Sequence, residues 1–287
     1  MRCVSCLAGS GYAVISRGMR RSPVFSAALL ACLLLAPAAP AAAQVLRATY
    51  EVHAAGMVVM EVEARFDLAP DGYRVETRLR TRGLAAVIAS GEQTTRVAGG
   101  FAGMAAQPAR YVSEGTWRGR PRRIALDWQG GAPRVIELLP PNEEEREPVP
   151  EALKTGTVDA LSALAALSRH VAREQGCTLA APVFDGRRRS DFTTGGGRWE
   201  RMPAWRGAWA GDALRCDFEG RQVAGFRRDG EGREAAAPQR GTIWFAAPYA
   251  GAPPVPVRVD IPTRWFGTAT AVLLRAEPVE RRAELGR

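Results

Sequence analysis

The sequence predicts a mainly β protein: a large curved antiparallel sheet, a half-barrel or open barrel, packed on one amphipathic α-helix. Three observations lead there. Apolar and polar residues alternate strictly through three successive segments between residues 46 and 80. Further short β-type segments, separated by Gly and Pro turns, follow almost to the C-terminus. A single segment, near residue 165, has helical periodicity instead.

The N-terminal element is an export signal. Arg17, Arg20 and Arg21 form a basic start, an apolar run follows from Val24 to Leu35, and Ala41-Ala42-Ala43 supplies a small-residue cleavage pattern. Residues 1–43 are therefore expected to be removed, leaving residues 44–287 as one β-rich periplasmic domain. The apolar run is too short to span a bilayer comfortably, so no transmembrane span is expected after processing. The signal is complete from Met19, which competes with Met1 as the true start. Leu29-Leu30-Ala31-Cys32 offers a second reading, a lipoprotein box that would leave a lipidated Cys32; the apolar residues after it, where a polar linker belongs, argue against it.

Composition narrows the class. Of 287 residues 46% are hydrophobic, enough for a packed core and too many for a disordered chain. The formal charge is +9; processing at residue 43 takes four arginines and no acid, leaving +5. Lys154 is the single lysine, and the arginines are interleaved with acids on most strands, so no nucleic-acid stripe is expected. Of five cysteines, Cys3, Cys6 and Cys32 leave with the signal. Cys177 and Cys216 remain, an even count in an exported chain, which predicts a disulfide. Two buried free thiols are the alternative, and a metal site lacks a nearby His or third Cys.

Strand by strand, Leu46, Ala48, Tyr50, Val52 and Ala54 share one face of the first segment, with Arg47, Thr49, Glu51 and His53 on the other. After a turn at Gly56, Val58, Met60, Val62, Ala64 and Phe66 point inward. Pro70-Asp71-Gly72 turns the chain, and Tyr73, Val75, Thr77 and Leu79 continue the apolar face. Segments 92–98, 109–117, 122–128 and 135–139 extend the meander. The acidic, Pro-rich stretch at 140–150 reads as a solvated loop. The helix is expected over 158–175, capped by Thr157, favoured by Asp159 in its first turn and stopped by Gly176. Its apolar half is Ala160, Leu161, Leu164, Ala165, Leu167 and Val171; its polar half includes Asp159, Ser162, Arg169 and His170. Strands follow at 181–184 and 188–194 around Asp185-Gly186, a Gly-rich tip at 195–207, then strands at 208–219, 221–227, 242–247, 255–261 and 268–276, with a charged loop at 229–240 and a charged tail from Glu277.

Four stretches together resemble a known family. They are Tyr50–Arg82 with Gly56, the run Thr157-Val158-Asp159-Ala160-Leu161-Ser162-Ala163-Leu164, the run Pro182-Val183-Phe184-Asp185-Gly186-Arg187-Arg188, and Val255-Pro256-Val257-Arg258-Val259 leading to Phe266-Gly267. The chain resembles the exported bacterial proteins grouped as domain of unknown function 3108. The resemblance covers nearly all of the chain after the signal and implies export and a β-rich fold, with no activity and no catalytic residues to carry over. The Gly- and Trp-rich stretch at 195–207 falls outside the pattern.

A search for chemistry returns little. His53 and His170 each lie on a polar face, no Gly-x-Ser-x-Gly elbow occurs, and two isolated histidines cannot ligate zinc. Gly195-Gly196-Gly197 is followed by Arg198-Trp199-Glu200, which is not a phosphate loop. Asp185, Asp191, Asp217 and Glu219 could supply a glycosidase-type pair only if two of them met in space. Neither catalytic residues nor a cofactor or metal is therefore expected.

Binding is the stronger expectation. If the helix covers only part of the concave face, a groove lined by Tyr50, Val52, Met60, Val62, Val75 and Leu79 remains, with Trp199 and Trp205 as a lid or membrane-interface contact. The expected function is a non-enzymatic, envelope-associated carrier or binding module for a lipid-like or apolar-peptide ligand. A structural adaptor joining envelope proteins is the second expectation, and a glycan hydrolase using paired carboxylates the third.

Overall fold

The computed structural model describes residues 45–229, 234, 236–263 and 267–279. The signal segment with Met1, Met19, Cys3, Cys6 and Cys32, most of the charged loop at 229–240, Phe266 and the end of the tail lie outside the described residues.

The described residues form an up-and-down meander of thirteen strands with two α-helices. The order is β1 (Val45–Ala54), β2 (Met57–Leu68), β3 (Gly72–Thr81), α1 (Gly83–Ile88), β4 (Gly91–Ala102), β5 (Ala105–Trp117), β6 (Arg120–Gln129), β7 (Ala132–Leu139), α2 (Ala160–Glu174), β8 (Leu179–Phe184), β9 (Arg189–Met202), β10 (Gly211–Ala224), β11 (Gln239–Ala246), β12 (Val255–Pro262) and β13 (Thr268–Val279). All strands join one antiparallel sheet in the order β7-β6-β5-β4-β3-β2-β1-β13-β12-β11-β10-β9-β8. β1 and β13 sit side by side at its centre, Val45 opposite Val279, which turns the meander into a nearly closed barrel-like wall. Its two edges are β7 and β8.

Alternation sets the register. Tyr50 lies opposite Val62 and Val62 opposite Leu79, so the apolar sets of β1, β2 and β3 fall on one face. The opposite face is wet. Across β3 to β7, Glu76, Arg96, Glu114, Arg123 and Glu137 form an unbroken line of alternating charge, with contacts of 3.4, 2.9, 2.7 and 2.6 Å. These exposed pairs contribute little stability each; they keep the outer face soluble.

Several elements differ from the sequence reading. The two strands expected at 208–219 and 221–227 are a single one, β10, running from Gly211 to Ala224, and the Gly-rich 195–197 lies within β9, not at a tip. Gly197 is the extra residue of a bulge, since Arg215 faces Arg198 while Cys216 faces Gly196. Asp159, not Thr157, caps α2, and Gln175 takes the left-handed conformation that ends it (φ 50°), one residue before Gly176. Helix α1 buries none of its residues; six residues are too few to show a helical period.

The stretch at 140–150 is a strap, not a free loop. Glu145 forms a two-pronged pair with Arg122 at 2.8 and 3.1 Å. Glu147 N–H donates to the Phe226 carbonyl, Arg146 to that of Gly225, and Val149 is buried. The strap crosses the seam between β6 and β10, and the chain beyond it runs along β8, where Phe184 N–H bonds to Val158 O and Val158 N–H to Pro182 O. Glu145 is tied down between Arg122 and the buried Arg187.

Candidate functional site

Helix α2 lies in the concave side of the sheet. Its first turn is fixed by Asp159, which accepts the Ser162 N–H at 2.9 Å and the Ser162 hydroxyl. Ser162 also accepts a 2.7 Å hydrogen bond from the Tyr73 hydroxyl on β3. All three side chains are buried, so Asp159 and Ser162 are not the solvated half that periodicity suggested. Burial pushes the Asp159 carboxyl above its usual range, against the hydrogen bonds from Ser162. At the far end Arg169 donates to the carbonyls of Gly103 and Pro70 and lies 4.3 Å over the Phe101 ring. One flank of α2 is thus fastened to the β3–β5 half.

The other flank packs against the second half of the sheet. Leu167 and Val171 join Cys177, Leu214, Cys216, Ile243 and Phe245 in a second core cluster. Cys177 and Cys216 are disulfide-bonded, with Cα atoms 5.4 Å apart, which ties the chain leaving α2 to β10.

Between this flank and β8–β12 the packing is incomplete. A cavity of about 200 Å³ is lined by Ala160, Ala163, Leu164 and Leu167 of the helix. The sheet contributes Leu179, Ala181, Val183, Phe192, Thr194, Phe218, Ile243 and Val259. Cross-strand register places Ala181, Phe192 and Gly220 in one row and Leu179, Thr194 and Phe218 in the next. Glycines on the neighbouring strands make room for its two phenyl rings. A Cβ on Gly220 would lie 2.5 Å from the Phe192 ring, and one on Gly241 2.4 Å from the Phe218 ring, so each phenyl ring occupies the space its neighbour's side chain would have taken. Ala160, Val183, Phe192 and Phe218 also border a wide cleft of about 1220 Å³ whose rim carries Arg188, Arg221 and Arg240 with Asp185 and Glu234. Arg188 is paired with Asp185 and Arg240 with Glu219; Arg221 is exposed and has no acidic partner among the described residues.

The residues expected to line a groove lie elsewhere. Tyr50 and Val75 are buried in the main core and Val62 packs against it. Val52, Met60 and Leu79 are half-buried, and none of the six borders the cavity or the cleft. Trp199 is exposed on β9, while Trp205 is half-buried in the β9–β10 loop. That loop folds back over the outer face of β1: the Trp205 ring stands edge-on to His53 at 4.8 Å, Arg206 donates to the Gly56 carbonyl, and Trp209 N–H donates to Leu273 O. His53 is consequently buried, not solvated. His170 sits 3.3 Å from Glu174 on α2.

The candidate carboxylates are each held in an ion pair. Asp185 caps its own turn and pairs with Arg188, Asp191 pairs with Arg189, Asp217 with Arg215, and Glu219 with Arg240. Each neutralises an arginine; Asp217 and Glu219 border one pocket of about 660 Å³ together with Asp260, which is itself paired with Arg258. Among the described residues no group of three His, Cys, Asp or Glu could hold a metal ion, and no helix is long and apolar enough to cross a membrane.

The sequence signals for the true cavity were Phe192 and Phe218 opposite glycines on neighbouring strands. They become legible only once register is known.

The family described as Protein of unknown function (DUF3108) matches residues 47–274. No curated protein matches the chain. Among solved structures, the chain is similar to a β-barrel-like protein of domain of unknown function DUF1849 from Brucella abortus. Identity is 12%, the TM-score is 0.49, and the match covers 83% of this chain and 99% of that one.

Proposed function

The chain belongs to the DUF3108 family, whose description names no activity, and we propose that it is an exported, periplasmic, non-enzymatic binding or carrier module for a lipid-like ligand with an anionic head. The observation that carries this reading is the cavity beneath α2. Thr194 is the one polar residue among its twelve lining residues, and it is continuous with a cleft edged by arginines. An apolar segment gains burial and dispersion contacts in such a space. A carboxylate or phosphate at the cleft would find the unpaired guanidinium of Arg221, suited to two-pronged anion contacts. The cavity itself is smaller than a typical small-molecule site of about 300–1,000 Å³, so the ligand would place a short apolar segment under the helix and its remainder in the cleft. The segment 1–43 supplies the route of export.

The test is native mass spectrometry on protein recovered from the periplasm without detergent after expression of the full chain. Bound mass that leaves on organic extraction, and rebinding of palmitate, are expected; Ala163→Trp, which fills the cavity from the helix, should abolish both while leaving circular dichroism unchanged. Absence from the periplasm, or an apo mass unchanged by palmitate, overturns the reading.

An adaptor role is the second reading, and β7 favours it. This edge strand exposes Val135, Ile136 and Leu139, and an extended partner segment adds to such an edge. Crosslinking from β7 to one neighbour, with no lipid bound, would replace the first reading with this one.

A further inference from the structure

We infer that the rim of the barrel carrying α1 docks on the surface of an anionic phospholipid bilayer, whatever the cavity under α2 holds. In an up-and-down meander alternate connections share one rim. The β1–β2 turn, the β3–β4 connection with α1, and the β5–β6 turn therefore lie together. Hydrogen bonds confirm the juxtaposition: Arg82 N–H donates to Val59 O, and Arg118 N–H donates to Ser90 O, just past α1. The Trp117 ring packs so closely on Gly91 that a Cβ there would lie 2.5 Å away.

What this rim exposes is apolar. Leu84, Val87 and Ile88 of α1 are 64%, 83% and 77% exposed, with Met57 and Trp117 beside them at 48% and 40%. Single exposed apolar residues are ordinary, but a helix with the sequence GLAAVI that buries no residue is a contiguous patch unexplained by the core. It projects from the rim, so it fits a surface that yields to it better than a partner's groove. A tryptophan at its border suits the polar–apolar boundary of a membrane.

The charge around the patch selects the occupant. Arg118 and Arg120 stand exposed on the β5–β6 turn, and Arg206 reaches the β1–β2 turn to bond Gly56 O. None of the three has an acidic partner among the described residues. The nearby acids are already neutralised, Glu61 by Arg82 at 2.8 Å and Glu92 by Arg78 and Arg80. An exposed apolar wedge with a fringe of unpaired cations is complementary to a hydrocarbon boundary beneath anionic headgroups. The β8–β9 turn and the adjoining described ends of β10, β11, β12 and β13 lie at this rim as well, and the cleft is lined from around them. A docked protein would therefore present the cleft to the same surface.

Vesicle co-sedimentation tests the inference, using full-chain expression product purified without detergent. Vesicles of 30% phosphatidylglycerol in phosphatidylcholine should bind the protein at least tenfold more tightly than pure phosphatidylcholine, and the difference should collapse in 0.5 M salt. Val87→Glu/Ile88→Glu should abolish binding, and Arg118→Glu/Arg120→Glu should weaken it at least fivefold. Both variants should keep the native circular dichroism and melting temperature, because the side chains bury nothing. No binding of the native protein to anionic vesicles overturns the inference. So does binding that both variants leave intact, or a dimer in solution that Val87→Glu/Ile88→Glu dissociates without any vesicle binding. The palmitate measurement is independent, so failure of docking and failure of the carrier reading are separable.

Discussion

Tyr73 and Ser162, 89 residues apart in the chain, share a buried 2.7 Å hydrogen bond. The phenol donates to Ser162, whose hydroxyl donates to Asp159, and Asp159 caps α2. This chain fixes the start of the helix against β3, and so fixes how far α2 stands from β8–β12 across the bowl. Gly99, on the neighbouring strand, makes room: a Cβ there would lie 2.5 Å from the Tyr73 hydroxyl. The width of the cavity is therefore set from the opposite wall.

Asp159→Ala should cost about 2 kcal/mol, the upper end for loss of a helix cap, because the N–H it leaves is buried. Tyr73→Phe should cost about 1 kcal/mol, and Tyr73→Phe with Ser162→Ala should cost less than the two singles added, since they share one interaction. Tyr50 gives the contrast: its buried hydroxyl has no hydrogen-bond partner among the described residues, so Tyr50→Phe should be neutral or stabilising. Urea denaturation of the five variants checks the ranking; equal losses at Tyr50 and Tyr73 would contradict it.

Two glycines should respond differently to alanine. At Gly115 an added Cβ would lie 2.0 Å from the Glu92 carbonyl oxygen, a backbone atom of the paired strand. The ladder must shift, and the variant should lose about 3 kcal/mol, as severe overpacking does. At Gly220 the clash is with the Phe192 ring, which can swing into the neighbouring cavity. Gly220→Ala should cost about 1 kcal/mol or less yet abolish palmitate binding. Thermal melts and the native mass of the two variants separate these effects.

The sheet was readable because one face is wet: Arg74, Glu76, Arg78 and Arg80 alternate with Tyr73, Val75, Thr77 and Leu79, and a period of two leaves no other assignment. Alternation names the apolar face but not what covers it. Tyr50 and Val75 belong to that face and are sealed in the core, while the space left open lies between α2 and β8–β12. Which half α2 would fill depended on Tyr73 reaching Ser162, a contact between residues too distant in sequence for any local pattern. The burial of Asp159 and His53 leaves no local signal for the same reason, as each is covered by a segment from elsewhere. Gly195, Gly196 and Gly197 suggested a flexible tip because composition carries no register; pairing with β10 makes them part of a strand.

The Cys177–Cys216 bridge closes a loop of 39 residues, which in the chain-entropy account contributes about 4 kcal/mol. It anchors the exit of α2 to the strand that carries Phe218. Cys177→Ala/Cys216→Ala should lower stability by about that amount and, by loosening one end of the helix, weaken palmitate retention more than Tyr50→Phe does. Denaturation with and without reductant checks it: the native protein should lose stability on reduction and the double variant should not.

Glu145 should make the seam acid-labile. The guanidinium of Arg122, with Arg187 and Arg146 beside it, holds the Glu145 carboxyl below its ordinary value of 4.5. The native state thus binds this proton more weakly than the unfolded chain does. The stability it contributes is fully present above pH 4.5 and is lost as pH falls below that value through the lowered folded-state value. Glu145→Gln, which keeps the shape but not the charge, should cost about 1–2 kcal/mol at pH 7. The gap between native and variant proteins should narrow as pH falls below 4.5. Burial also disfavours the Arg187 cation, so removing the carboxylate leaves a cation in the seam with weaker compensation. Released with it would be the strap that holds β6 to β10, and limited proteolysis should then cut within residues 140–150. Urea midpoints for both proteins from pH 3 to pH 7 decide the matter: a gap that widens towards acid would mean that Glu145 carries no stabilising charge.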